Sequence, residues 1–177
     1  MRIIAGKYKS RILQYPKSKD LRPTQDRVRE SLFSMINTEC HHATVLDAFA
    51  GTGSFGLEAL SRGADSAVFV DTHIDYLKKN VQILDDTDQA RVKIKKSSAL
   101  SFIKQSTDTF DIILLDPPWN KADYFDLTLK AIFDFGIINP NGLIICEHPA
   151  TYSINDQYNI LKIKTMGNTS LTLIKPI

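Results

Sequence analysis

The chain has 177 residues, 43% hydrophobic and 24% charged, which suits one globular domain with a sizeable core. No apolar run approaches the roughly 18 residues that a membrane span needs, and Met1–Lys7 is too short and polar for a secretory signal, so a cytoplasmic protein is expected. The net charge of +2 is uneven: residues 1–30 carry nine Lys/Arg against three acids, or +6, and the remainder carries −4. A basic start on an acidic body is the pattern of a phosphate-contacting arm.

In chain order, Arg2 to Leu13 reads as two short strands around a Gly-Lys turn, a basic hairpin. Lys17 to Leu21 is a polar connection. Arg22-Pro23-Thr24 opens a helix, with Thr24 as N-cap and Asp26 in the first turn. Val28, Leu32, Met35 and Ile36 fall on one apolar face, and Arg27 and Arg29 lie off it. From Thr44 the pattern alternates. Strands are expected at 44–49, 67–70, 92–95, 111–115 and 142–146, with helices at 54–61, 74–84, 99–104 and 124–133. Such alternation means βαβ units and a parallel sheet. Tyr158 to Lys164 and Thr169 to Ile174 flank Met166-Gly167-Asn168 without an intervening helix, the pattern of a terminal antiparallel hairpin. The expected division is a basic arm over residues 1–21 and one α/β domain over 22–177.

The turn after the first α/β strand is Asp47-Ala48-Phe49-Ala50-Gly51-Thr52-Gly53-Ser54-Phe55-Gly56. Its glycines allow a tight turn and close approach of a ligand, in the spacing of a nucleotide-binding fingerprint. Asp71, at the end of the next strand, is placed to accept ribose hydroxyl protons. Glycines alone do not separate nicotinamide from S-adenosylmethionine (SAM). Two features favour SAM: Asp47 suits a ligand's positive charge and opposes a pyrophosphate, and Asp116-Pro117-Pro118-Trp119 suits transfer to an exocyclic amine.

That second motif follows the buried run Ile112 to Leu115. Two prolines cannot continue a central strand, since neither has an N–H for the ladder. The result is an acceptor-rich corner beside an aromatic face, at the sheet edge where open α/β folds bind ligands.

Arg22 to Glu30 (R-P-T-Q-D-R-V-R-E), Asp47 to Gly56, Leu60-Ser61-Arg62-Gly63-Ala64, Asp116 to Trp119 and the opening Arg2 to Lys9 together resemble the RsmD family of bacterial 16S rRNA (guanine-N2)-methyltransferases. The likeness spans nearly the whole chain. It implies a Rossmann-like class I methyltransferase fold, with a mostly parallel seven-stranded sheet ending in the hairpin. It implies SAM as donor and a guanine N2 amine of 16S rRNA as acceptor, within the small ribosomal subunit. Asp47, Phe49, Ala50, Gly51 and Gly53 would hold the methionine end of the cofactor. Asp71 and Thr72 would lie at the ribose, and Ser98 and Ala99 at the adenine, where many relatives carry Asp or Asn. The R-P-T block, Thr24 included, would close over cofactor and acceptor. Asp116, Pro117, Pro118 and Trp119 would form the catalytic corner, with Trp in place of the more usual Tyr or Phe. Lys7, Lys9, Arg11, Arg22, Arg27 and Arg29 are the RNA-contacting candidates.

In that corner Asp116 and the Pro117 carbonyl would each accept an amine N–H, aligning the lone pair for in-line attack. Asp116 would take the proton late, and Trp119 would stack on an unstacked base. Other residues attract less. Cys40-His41-His42 are adjacent, and adjacent residues rarely converge on one ion, so no metal is expected. Cys146 reads as core, His148 as a solvated loop residue beside Glu147, and Phe55 as core or pocket lining. Two further readings stay open: an amino methyltransferase for DNA or a protein amide, and a non-catalytic ribosome-assembly factor. A monomer is the default, and the residues do not say whether naked rRNA or an assembled particle is the substrate.

Overall fold

The computed structural model describes residues 1–16, 23–119 and 122–176. Seven strands form one sheet: β1 (Thr44–Asp47), β2 (Ser66–Asp71), β3 (Val92–Lys96), β4 (Phe110–Leu115), β5 (Ile138–Pro149), β6 (Asn159–Met166) and β7 (Thr169–Lys175). Their order is β3-β2-β1-β4-β5-β7-β6. The first five run parallel, and β7 is antiparallel to both β5 and β6. The helices are α1 (Pro23–Met35), α2 (Asn37–Cys40), α3 (Ser54–Ser61), α4 (Asp75–Val81), α5 (Asp86–Gln89), α6 (Ala99–Gln105) and α7 (Ala122–Asp134). Among the described residues no helix is long and apolar enough to cross a membrane.

Strands buried on both faces read as continuous apolar runs, and their alternate residues divide between two cores. Val45, Ile112, Leu114 and Ile145 face one side, under α1, α3 and α4. Leu46, Ile113, Leu115 and Ile144 face the other, under α6 and α7. The order reverses between β1 and β4. The C-terminal ends of those two strands therefore open a crevice at the switch point of the sheet.

Three sequence expectations change. Residues 2–13 form no ladder: one antiparallel bridge, Arg2 with Ile12, joins them. Ile3, Tyr8 and Leu13 are buried in the first core, so this segment packs against the α/β body. The first helix starts at Pro23, which places Thr24 inside the first turn and not at the N-cap. Proline suits that first position because its missing N–H would be unpaired there. The side chain of Thr24, and Arg22 and residues 17–21 altogether, lie outside the described residues. Finally, β5 runs on to Pro149, because β7 pairs its far half from Ile144 to Pro149.

Candidate functional site

The glycine turn is built by two aspartates at neighbouring strand ends. Asp71 accepts the Gly51 N–H at 2.7 Å through one carboxylate oxygen and its own loop's His73 N–H at 2.8 Å through the other. Each oxygen keeps a further lone pair for a ligand. Ala50 N–H donates to the Val70 carbonyl at 3.0 Å, which lays the turn across the end of β2. Gly51 adopts φ +53 and faces open space where a Cβ would stand, whereas a Cβ on Gly56 would lie 2.3 Å from the Phe69 ring. Thus Gly51 leaves room for a ligand, and Gly56 lets α3 pack on β2.

Asp47 is buried. It accepts the Gly56 N–H at 3.0 Å, satisfying an otherwise orphaned donor in the first turn of α3, whose N-cap Gly53 has no side chain to do so. Burial pushes its carboxyl up to about 7, and the nearby charges of Asp116 and Asp71 add to the shift. Three acidic residues at or just past the ends of adjacent strands thus lie near enough for their charges to interact. That is a poor site for a phosphate and a good one for a cation.

Ser98 caps α6, accepting the Ser101 N–H at 3.2 Å, with Ala99 buried behind it. Thr72 bonds the His73 ring at 3.0 Å. Phe49 stands edge-on to Tyr124, with 5.9 Å between ring centroids. Phe55 is half-buried against the first core.

Across the switch point, Asp116 begins the exposed turn after β4 and Pro117 is buried. Pro117, Pro118 and Trp119 line a cavity of about 220 Å³ with Phe125, Glu147, His148, Pro149, Thr151 and Tyr152. Trp119 is 46% exposed. Phe125, His148 and Tyr152 pack as a triangle of rings with centroid separations of 5.3–6.0 Å. The Tyr152 hydroxyl donates to Asp126 at 2.6 Å.

His148 is not a solvated loop residue. It lies 4% exposed within β5. Its Nδ1 meets the Pro149 carbonyl at 2.9 Å and its Nε2 meets the Thr172 hydroxyl at 2.8 Å. A carbonyl only accepts, so Nδ1 carries the proton and Nε2 accepts from Thr172. Burial lowers the His148 pKa, in keeping with this neutral form. Glu147 beside it is raised to about 7 by burial. Phe125, Glu147, Thr151 and Tyr152 carry no motif, and sequence reasoning does not single them out as a site. The one signal is the polar Glu-His-Pro ending of a strand otherwise apolar.

The basic candidates separate. Lys9, Arg11 and Arg27 are exposed. Lys7 is held by Asp85 at 2.5 Å and Asp88 at 3.0 Å, so a phosphate would have to compete for it. Arg29 is corrected outright: it is 1% exposed, donates to Asp26 and the Arg2 carbonyl, and lies 3.8 Å from the buried Glu58. A guanidinium so enclosed cannot reach RNA. Of the Cys40-His41-His42 run, Cys40 turns into the core toward the Ala59 carbonyl and His42 pairs with Asp65 at 3.0 Å. Cys146 is buried, as expected.

A family model described as Conserved hypothetical protein 95 matches residues 1–175. Ribosomal RNA small subunit methyltransferase D of Haemophilus influenzae is 38% identical, over 98% of this chain and 92% of its own. The solved structure of the Escherichia coli protein yhhF superposes with a TM-score of 0.86 at 32% identity, covering 98% of this chain and 96% of that one. The protein SMU.776, solved in complex with S-adenosylhomocysteine, superposes with a TM-score of 0.66 over 86% of this chain and 49% of its own. At 20% identity that likeness speaks to the fold alone.

Proposed function

The chain belongs to the family described as Conserved hypothetical protein 95, the RsmD family its motifs resemble, and from that membership we propose that it methylates 16S rRNA of the small ribosomal subunit, using SAM, at the N2 amine of one guanine. The observation that carries the reading is the crevice itself. Two motifs, Asp47 to Gly53 and Asp116 to Trp119, flank the switch point, and the charges of Asp71 and Asp116 both act on the buried Asp47.

The residues present fit SAM. When bound, it supplies an electrophilic methyl on a sulfonium centre. Asp71 and Thr72, at the end of β2, would lie at the ribose hydroxyls, and the turn from Asp47 to Gly53 at the charged methionine end, with Ser98 and Ala99 along the adenine side. The acceptor base would enter the cavity behind Pro117 and Pro118 and stack on Trp119, a contact worth roughly 1–3 kcal/mol. Asp116 and the Pro117 carbonyl would each accept one N–H of the amine, directing its lone pair at the methyl. Positioning is the main catalytic effect of such a corner. Asp116 takes the proton as the C–N bond forms, because the amine is acidic only then. Lys9, Arg11 and Arg27 would hold backbone phosphates. With so small a basic surface, selectivity would come from a folded, assembled or assembling subunit, bound by a monomer of this chain.

The test offers labelled SAM together with small subunits, naked 16S rRNA, DNA and ribosomal protein. Label is expected in rRNA, as N2-methylguanine on nucleoside digestion, and most strongly from particles. With Asp116→Ala the label should vanish while SAM affinity stays within about threefold, since the mutated group contacts the amine and not the cofactor. Label in DNA or protein, or wild-type turnover in the variant, would refute the assignment.

A further inference from the structure

Asp116 and Glu147 each follow the last paired residues of β4 and β5: Asp116 opens the turn after β4, and Glu147 continues β5. The β4–β5 register ends with Leu115 opposite Cys146, and each carboxylate is the next residue along. Neighbouring strands stand about 4.8 Å apart, so the chain enters the Asp116 turn about one strand spacing from β5, next to Glu147. Glu147 also lines the cavity that Pro117, Pro118 and Trp119 line.

The polar groups around that cavity are not evenly matched between donors and acceptors. The His148 ring N–H is committed to the Pro149 carbonyl, and the Tyr152 hydroxyl to Asp126. Trp119 and Thr151 hold the other side-chain donors of the lining, and Glu147 is its one carboxylate. A half-buried carboxylate with no hydrogen bond among the described residues demands a donor from whatever enters.

The three RNA bases that carry an exocyclic amine differ in what they offer beside it. Guanine carries its N2 amine next to N1–H, two donor positions in a row. Adenine and cytosine carry the amine next to a bare ring nitrogen, an acceptor. If Asp116 engages the amine, Glu147 faces the adjacent ring position. We infer that Glu147 selects guanine, its carboxylate accepting N1–H while Asp116 holds the N2 amine. Adenine or cytosine in the same pose would set a ring nitrogen lone pair against the carboxylate. This inference rests on the corner being the acceptor site, and it supplies a structural reason for guanine that Trp119, which stacks on any base, does not. Burial lifts the Glu147 carboxyl to about 7, and a donated N–H is the contact that would stabilise its charged form.

The test replaces the methylated guanine, once mapped, by 2-aminopurine in ligated 16S rRNA assembled into small subunits. The analogue keeps the N2 amine but has an unprotonated N1. Wild-type protein is expected to prefer guanine by about 10- to 100-fold in kcat/KM, the range for one good base contact. Glu147→Gln offers an NH₂ to the bare N1, so the preference should shrink by at least about tenfold toward 2-aminopurine. Equal use of the two bases by wild type would overturn the inference, and so would an unchanged preference in E147Q. The wild-type arm needs no variant, so a misfolded E147Q leaves the inference exposed to refutation. Transfer to guanine by wild type in the same series tests the underlying reading separately.

Discussion

Burial pushes the Asp47 carboxyl to about 7 in the folded chain, against an ordinary value of 3.8. Between those values the folded state binds the proton that the unfolded state has released. Stability contributed by protonated Asp47 is therefore full below about pH 4 and lost as pH rises through about 7. Asp47→Asn keeps an oxygen for the Gly56 N–H but cannot ionise. Wild type should lose stability relative to D47N between pH 4 and about 7, with the gap level above that, as read by urea unfolding across pH. A gap independent of pH would show that Asp47 is not the titrating group. A residue with this cost in the free protein is one that a cationic ligand would relieve, which ties its placement to the crevice.

The N-terminal segment owes its docking to α3. Glu58 is fully buried and accepts Ile4 N–H at 2.7 Å, Ala5 N–H at 3.0 Å and Arg62 Nε–H at 2.8 Å. Ser61 receives Tyr8 N–H at 2.9 Å and donates to the Ala5 carbonyl at 2.6 Å. Gly6 passes so close that a Cβ would lie 1.8 Å from the Ser61 carbonyl. The motifs Ala5-Gly6-Lys7 and Leu60-Ser61-Arg62 are thus two halves of one contact, and Arg29 of the R-P-T block joins it from α1. Glu58→Gln would remove the counter-charge that the buried Arg29 and the partly buried Arg62 share, leaving Arg29 with Asp26 alone. We expect a loss of about 3–5 kcal/mol, the usual cost of breaking a buried pair from one side, measured by denaturant unfolding. A loss below about 1 kcal/mol would show that the cluster is not what pins the segment.

Over the whole molecule, the +6 of residues 1–30 is less available than composition suggests. Arg29 is interior and Lys7 is held by Asp85 and Asp88. Asp88 itself is raised by burial, but bonds from Tyr8, Arg91 and Lys7 outweigh that and hold it at about 2. Lys9 and Arg11 remain on the surface. Replacing both with Ala should weaken RNA binding and reduce the slope of log affinity against log salt by about 1.5–2, near one unit for each phosphate no longer neutralised. An unchanged slope would remove this surface from the RNA interface. Lys7→Ala, by contrast, should act chiefly on docking of the segment.

The sequence by itself determined the alternation of strands and helices, the parallel pairing with a terminal hairpin, and the positions of Asp47, Asp71 and Asp116 at or beside strand ends, while the seven-stranded count came with the family resemblance. These follow from local signals: apolar runs of strand length, helical spacing, and glycines or prolines where the chain must turn. Only the tertiary structure decided which polar residues are surface and which are interior. Arg29 and Lys9 look alike in a charge count, and the difference arises because Glu58, far along the chain, meets one of them. The same holds for the acceptor pocket. Glu147, His148, Phe125 and Tyr152 come together because the antiparallel β7 extends β5 past the point where its apolar run ends. No periodicity records a pairing made by a strand some 25 residues later.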